Sequence, residues 1–319
     1  MDAKTPSTLK EAITYFADPD NCVTYMVAKR WPLGVTCPTC GNARVTFDPT
    51  SRRWQCSSHH PKRKFSLKSG TVLEDSPLGL DKWLPVIWLV TNCKNGVSSW
   101  EIHRAMGVTQ KTAWFMLQRA RLALQGKNGG KLSGEIEADE SFIGGKARNM
   151  HFADRLVKIH GRGPDGKAIV AAVLERGGEI RAKVVRTRRK ADVQALVREN
   201  VEAGSNLYTD ALKSYEGLDE FKHQVVDHAE TYVDGQVHTN GCENFWSLLK
   251  RGIHGTYVSI EPFHLHRYID EQGFRYNHRK HANGEVKTDA ERFDIAVSQI
   301  VGKRLMYTEL TGHAGDEPF

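Results

Sequence analysis

The sequence predicts a multidomain α+β protein, and three observations lead there. The chain has 319 residues, which at roughly 150 per domain means two or three folding units. A glycine-rich break, Gln125-Gly-Lys-Asn-Gly-Gly-Lys131, separates two regions of different character. Before it, cysteine knuckles precede short helical patterns; after it, alternating segments give way to strand–helix alternation. The boundaries that follow are residues 1–70 (an N-terminal helix and a cysteine-bearing hairpin), 71–126 (paired helices), 132–285 (the strand-rich domain) and 286–319 (a C-terminal tail).

Composition narrows the class. Hydrophobic residues make up 39% and charged residues 26%, enough apolar material for real cores, which excludes fibrous and wholly disordered chains. The longest uncharged apolar run, Trp83 to Val90, is eight residues; a membrane span needs roughly 20. No membrane partner is expected, and the N-terminus lacks an apolar signal core, so a cytoplasmic location is expected. Lys plus Arg number 45 against 38 acids, a net charge of +7 that suits a polyanionic partner.

Cys37-Pro-Thr-Cys40-Gly41 forms one two-cysteine turn, and Cys56-Ser-Ser-His59-His60 supplies a second. Between them, Arg44–Phe47 and Arg53–Gln55 flank the turn residues Asp48-Pro49. Two knuckles joined by a hairpin make a zinc ribbon, and a closed structural site takes four Cys or His ligands. The expected ligands are Cys37, Cys40, Cys56 and His60, with His59 the alternative fourth. Arg52, Arg53, Lys62, Arg63, Lys64 and Lys68 surround the knuckles, either a phosphate-contacting surface or a solvated basic face.

In the next segment Trp83, Ile87 and Val90 follow helical spacing, and Asn95–Ser98 breaks it. Ser98-Ser-Trp-Glu101 is a capping box opening a short helix to Met106. Gly107–Thr109 is a tight turn, and Thr109–Arg121 a second helix. This is the helix-turn-helix pattern, with an ordinary helical hairpin as the alternative. Gln110, Lys111 and Arg119 would face DNA.

Beyond the linker, strands are expected at Glu135–Ile143, Lys167–Leu174, Glu179–Arg186, Asn206–Asp210 and Lys222–Asp227. A polar loop runs from Gly144 to about Asp165, and helices are expected at Asp192–Val201, Ala211–Tyr215, Asn240–Arg251 and Pro262–Asn277. Three strands, helix, strand, helix, strand, helix is the order of an RNase H-like α/β domain with a mixed five-stranded sheet. In that architecture the first and fourth strands lie side by side, so Asp139 and Asp210 meet, and the helix after the fifth strand brings Glu243 to the same end. Asn240, Glu243, Ser247 and Lys250 share one helical face. Three converging carboxylates repel unless a divalent cation neutralises them, and such oxygen ligands suit Mg²⁺ or Mn²⁺. Two such ions can clamp a phosphodiester. Each acid has a plain alternative: solvation for Asp139, helix capping for Asp210, pairing with Lys250 for Glu243. Arg181–Lys190 holds six basic residues in ten, including Arg188 and Arg189, able to grip backbone phosphates or to form a solvated edge. In the tail, Arg292–Tyr307 is expected to be a helix packing on the catalytic domain, and Thr311–Phe319 to be frayed.

The motifs Cys37–Gly41, Phe65–Asp75, Glu137–Lys146, Tyr208-Thr-Asp210, His238–Gly252 and Arg275-Tyr-Asn277 together resemble bacterial insertion-sequence transposases. These are the family numbered fifteen ninety-five, with its XO-two-like transposase domain, which joins a zinc ribbon, a helix-turn-helix and a DDE catalytic domain. The resemblance covers roughly residues 12–285. It implies that Asp139, Asp210 and Glu243 are the metal-binding triad, with the last two 33 residues apart. It also implies that Lys250, with Arg251 beside it, contacts end DNA. The third acid varies in this family, even to Asn, which keeps Asn240 as a candidate. The implied reaction is Mg²⁺-dependent release of 3′-hydroxyls at terminal inverted repeats and their transfer to target DNA. A homodimer or larger synapse, associated with the nucleoid, follows from the need to join two ends. Two rivals stand beside this reading: a structure-specific nuclease of the same fold, and an inactive DNA-binding regulator.

Overall fold

The computed structural model describes residues 6–126, 129–145, 151–153, 155, 159, 166–226 and 238–312. The chain divides into two compact units. One contains residues 1–126 and 286–316, the other residues 127–285. Among the described residues no helix is long and apolar enough to cross a membrane.

The first unit opens with helices α1 (Leu9–Phe16) and α2 (Pro19–Arg30). Thr8 and Asp18 cap them by accepting the backbone N–H groups of Glu11 and Asp20. A three-stranded antiparallel sheet follows: β1 (Val45–Asp48), β2 (Arg53–Cys56) and β3 (Lys64–Phe65). Its small core is Trp54, ringed by Phe47, Phe65 and Trp31. Helices α3 (Leu80–Asn92), α4 (Ser99–Met106) and α5 (Gln110–Leu124) complete the N-terminal part. The expected capping box is present: Ser98 N–H donates to Glu101 at 2.7 Å, and Glu101 N–H to the Ser98 hydroxyl at 3.2 Å. Gly107 ends α4 at φ 60°, left-handed backbone that glycine adopts without strain, and Thr109 then caps α5.

The C-terminal segment belongs to this unit, whereas Arg292–Tyr307 was expected on the strand-rich domain. Its helix is also shorter, α9 at Asp289–Ser298, with α10 at Tyr307–Leu310; residues 313–319 lie outside the described residues. Phe293, fully buried, meets the rings of Phe16, Tyr25 and Trp88, so α9 completes a core begun by α1, α2 and α3. Asp294 takes hydrogen bonds from Tyr25 and Lys29. The apolar stripe Phe293–Ala296–Val297 announces a buried face but does not name the partner. The ribbon and the paired helices fall in the same compact unit.

The second unit is a mixed five-stranded sheet. Its strands are β4 (Glu135–Ile143), β5 (Ala168–Glu175), β6 (Ile180–Val185), β7 (Asn206–Asp210) and β8 (Lys222–Val226), in the order β6-β5-β4-β7-β8. The first three form an antiparallel meander, and β7 and β8 add in parallel. Helix α6 (Lys190–Asn200) covers one face, where Val193 and Val197 join Ile136, Ala138 and Leu207. Helices α7 (Asn240–Gly252) and α8 (Leu265–Asn277) cover the other, where Phe245, Trp246, Leu249 and Ile269 meet Val170, Ala172 and Leu174. Asn277 hydrogen-bonds both the N–H and the C=O of Ile180, closing part of the β6 edge. The segment expected as a helix at Ala211–Tyr215 is a single 3₁₀ turn, Lys213–Tyr215. Most of the polar loop expected after Gly145, and Asp227 at the end of the fifth strand, lie outside the described residues.

Phe293→Ala is expected to destabilise the first unit by about 3–5 kcal/mol, the usual cost of emptying a large aromatic site. Denaturant unfolding of the full chain, followed by tryptophan fluorescence, measures it; a loss below about 1 kcal/mol would mean that α9 is peripheral.

Candidate functional site

Two groups of side chains carry chemistry, one in each unit. In the first unit β1 and β2 bring the two knuckles together. Cys37 N–H donates to the Asn42 carbonyl and Cys56 N–H to the Arg63 carbonyl, each at 2.9 Å, so both turns are held by backbone bonds. The ligand atoms of Cys37, Cys40, Cys56 and His60 all lie within 4.8 Å of one another. Cys37 Sγ is 3.5 Å from His60 Nε2, and Cys40 Sγ is 3.6 Å from Cys56 Sγ. Donors arranged tetrahedrally around zinc stand about 3.3–3.8 Å apart, so three thiols and one imidazole here fit that ion. His59 is exposed and outside this group.

In the second unit the four acids of β4 meet four different environments. Glu135 accepts from Tyr208 and Asn206 and stands 4.0 Å from Arg176. Glu137 is paired with Arg176 at 2.9 Å. Glu140 takes two bonds from Arg188, at 3.0 and 2.7 Å, and one from the Tyr215 hydroxyl at 3.1 Å. Asp139 accepts the indole N–H of Trp246 at 2.9 Å and the N–H of Glu140 at 2.8 Å. Among the described residues Asp139 alone of the four has no basic partner. Burial raises its carboxyl to about 7; the Trp246 N–H opposes this, and the negative charges of Glu140 and Asp210 add to it.

Asp210 ends β7. The parallel register pairs Glu137 with Tyr208, which carries Asp139 to the level of Asp210. Asp210 Oδ1 also accepts the N–H of Leu212 at 3.1 Å, the turn-capping role foreseen as its alternative. Glu243 is half-buried in the first turn of α7, three residues before Trp246. Asp139, Asp210 and Glu243 are nonetheless not drawn as tightly as the cysteines: among the described residues, the Cys/His group is the one whose ligand atoms all fall within 4.8 Å. Asn240, on the same helix, is exposed.

The expected DNA contacts divide. Lys111, Arg189 and Arg251 are exposed, and Lys250 is half-buried. Lys111 lies over the Tyr307 ring. Arg188 is engaged by Glu140 and lies over the Phe142 ring, so it braces the acidic strand and is not a free grip on phosphate. Arg119 overturns its expectation: it is 7% exposed and donates to the carbonyls of Glu74 and Leu305. Helix α5 is buried nearly all round from Met116 to Leu124, and that turns Arg119 inward. Lys68 likewise donates to the carbonyls of Ser76 and Leu78. Two contributors escaped the sequence reading. A signal for Trp246 was there to find, since it stands three residues from Glu243 and hence on its face. Tyr215 was not, since nothing in its neighbourhood marks it.

Comparison with known proteins agrees with this division. Residues 131–277 match the model of the ISXO2-like transposase domain, and residues 17–59 that of a transposase zinc-ribbon domain. The chain is 29% identical over 236 residues to an uncharacterized protein in transposable element ISH50 of Halobacterium salinarum, covering 70% of this chain and 79% of that relative. It is 32% identical over 107 residues to an uncharacterized transposase-like protein of Haemophilus influenzae, covering 33% of this chain and 82% of that relative. A transposase fold region preceded by a transposase ribbon defines the class. The chain belongs to the insertion-sequence transposase family named for the ISXO2-like domain.

The Asp139 environment yields a pH prediction. Between pH 3.8, the ordinary aspartate value, and about 7, the folded chain holds a proton that the unfolded chain releases, so stability falls as pH rises through that window. Asp139→Asn is therefore expected to stabilise the protein roughly 2–3 kcal/mol more at pH 8 than at pH 5. Denaturant unfolding without added divalent cation reads this, and equal effects at both pH values would count against it.

Proposed function

We propose that the protein is a DNA transposase that binds terminal inverted repeats, frees 3′-hydroxyls and transfers them to target DNA. The observation that carries this reading is the convergence of Asp139 and Asp210 on neighbouring parallel strands, with the helix bearing Glu243 hydrogen-bonded to Asp139 through Trp246. The strand order supports an RNase H-like reading of the sheet, in which these three carboxylates would hold Mg²⁺ or Mn²⁺. A buried carboxylate raised toward neutrality, beside like charges and without a basic partner, fits such a cation. When bound, two such ions would activate the attacking oxygen and stabilise the leaving one.

The chain's own groups prepare that site. Trp246 fixes one oxygen of Asp139. Arg188 and Tyr215 hold Glu140 on the opposite face of β4, away from the cluster. Lys250 and Arg251, in the last turn of α7, supply positive charge for end DNA. In the first unit, Cys37, Cys40, Cys56 and His60 would hold Zn²⁺ as a structural cross-link of the ribbon. Helices α4 and α5, read as a helix-turn-helix, would approach DNA through Gln110 and Lys111, without Arg119. Pairing two ends calls for a homodimer or a larger assembly acting on chromosomal DNA in the cytoplasm.

Strand transfer tests the whole reading. A labelled oligonucleotide carrying the element's end, incubated with Mg²⁺ and the full chain, is expected to yield joined product, abolished by Asp210→Ala and by Glu243→Ala. Cutting without joining would favour the nuclease rival. Neither cutting nor joining, with end binding intact, would favour the regulator.

For the ribbon, zinc analysis of the purified chain is expected to give one ion per protein. Cys56→Ser is expected to lower zinc retention and melt the ribbon; full retention in that variant would exclude Cys56 as a ligand.

A further inference from the structure

Helix α7 lacks a cap of its own. Its N-cap residue, Thr239, makes no side-chain bond to the first turn, although a helix leaves four backbone N–H groups unsatisfied there. The missing acceptor comes from the sheet. Glu137, 1% exposed, reaches across from β4, and its Oε2 accepts the N–H groups of Gly241 at 2.7 Å and Cys242 at 3.1 Å. Its other oxygen takes Arg176 Nε at 2.9 Å and faces His238 Nδ1 at 3.3 Å.

Arg176 extends the clamp. It donates to the His238 carbonyl at 2.8 Å and lies over the Tyr208 ring, 4.3 Å from its centre. One network thus touches β4 two residues before Asp139, β7 two residues before Asp210, and α7 two residues before Glu243. Gly241 lets the elements close this tightly. A Cβ there would stand 2.5 Å from Leu174 Cδ2 and 2.8 Å from Glu137 Oε2. The helix is held to β4 a second time by Trp246 and Asp139. Glu243 lies between these two attachments, and Glu137 and Asp139 share one face of the strand.

We propose that Glu137 and Arg176 are positioning residues that set where Glu243 stands relative to Asp139 and Asp210. This rests on the reading of those three acids as the cation site. Glu137 is not itself a ligand, because both its oxygens are consumed by the clamp. A buried ion pair alone is weak reason for a carboxylate at this place. Capping the one helix that bears the third acid gives it a specific use.

The test uses the full chain with Mn²⁺ as probe. Glu137→Ala, Glu137→Gln and Gly241→Ala are compared with the parent and with Asp139→Ala. Fold is checked by circular dichroism, Mn²⁺ affinity by titration of the free protein, and end-DNA binding without divalent cation. Glu137→Ala and Gly241→Ala are expected to weaken Mn²⁺ binding by about 10–100-fold, the usual effect of removing support behind a metal ligand. DNA binding should be unchanged. Glu137→Gln, which keeps one acceptor oxygen for the helix N–H groups, should fall between parent and Glu137→Ala. If any folded clamp variant except Glu137→Gln binds Mn²⁺ as the parent does, the positioning role is wrong. If Asp139→Ala also leaves Mn²⁺ binding intact, the cation-site reading itself fails. Should Glu137→Ala not fold, Gly241→Ala carries the same comparison.

Discussion

The second unit is organised around the cost of burying negative charge on its central strand. β4 sits in the middle of the sheet and carries Glu135, Glu137, Asp139 and Glu140 within six positions. A buried carboxylate needs donors or a cation, or it keeps its proton. Three of the four are answered by arginine: Arg176 for Glu135 and Glu137, Arg188 for Glu140. The elements that deliver those arginines are the β5–β6 turn and the start of α6. Much of the unit's geometry follows from serving the acids of one strand. Asp139 receives neutral donors alone and stays poised near neutrality. The exception is local, sits beside Asp210, and is where a cation would do most.

The first unit depends on a different kind of closure. Its N-terminal helices and α3 leave an aromatic site that Phe293 fills from the far end of the chain. Backbone bonds repeat the connection: Val72 N–H donates to the Ile300 carbonyl and Gly302 N–H to the Gly70 carbonyl. The strand-rich unit is therefore inserted, in sequence, between two halves of the unit that carries the ribbon. Synthesis order matters for such a chain, since the aromatic site that Phe293 fills is completed only after the strand-rich unit has been made.

Much of the second unit was legible in the sequence because its signals are local. Period-two alternation marked Glu135–Ile143, Tyr208-Thr-Asp210 ended a strand, and helical spacing placed Glu243 on a face of α7. The ribbon was legible because two knuckles leave few ways to close a four-ligand site, and the hairpin turns the ring of His60, not that of the exposed His59, toward the thiols. What escaped depends on contacts distant in sequence. Arg119 looks like a surface cation until the segment around Leu305 buries it. Arg292–Tyr307 read as a helix, yet nothing in its sequence names the core that Phe293 joins. Glu137 looks like one more solvated acid until the N-terminus of α7 arrives, more than a hundred positions later.

The last of these bears on what the acids are for. A strand that offers four carboxylates could dedicate any of them to a cation, and composition cannot choose. Pairing chooses. Glu135, Glu137 and Glu140 are each committed to side chains or backbone donors that a metal would have to displace, leaving an arginine without its partner. If the acids hold a cation as proposed, Asp139 would exchange its proton for it while keeping its Trp246 bond. The arginines thus act by exclusion as well as attraction: they engage the neighbouring carboxylates and leave Asp139 alone without a basic partner among the described residues. The same logic makes Arg176 as specific as the acids it supports, since losing it would free Glu137, on the same face of the strand as Asp139.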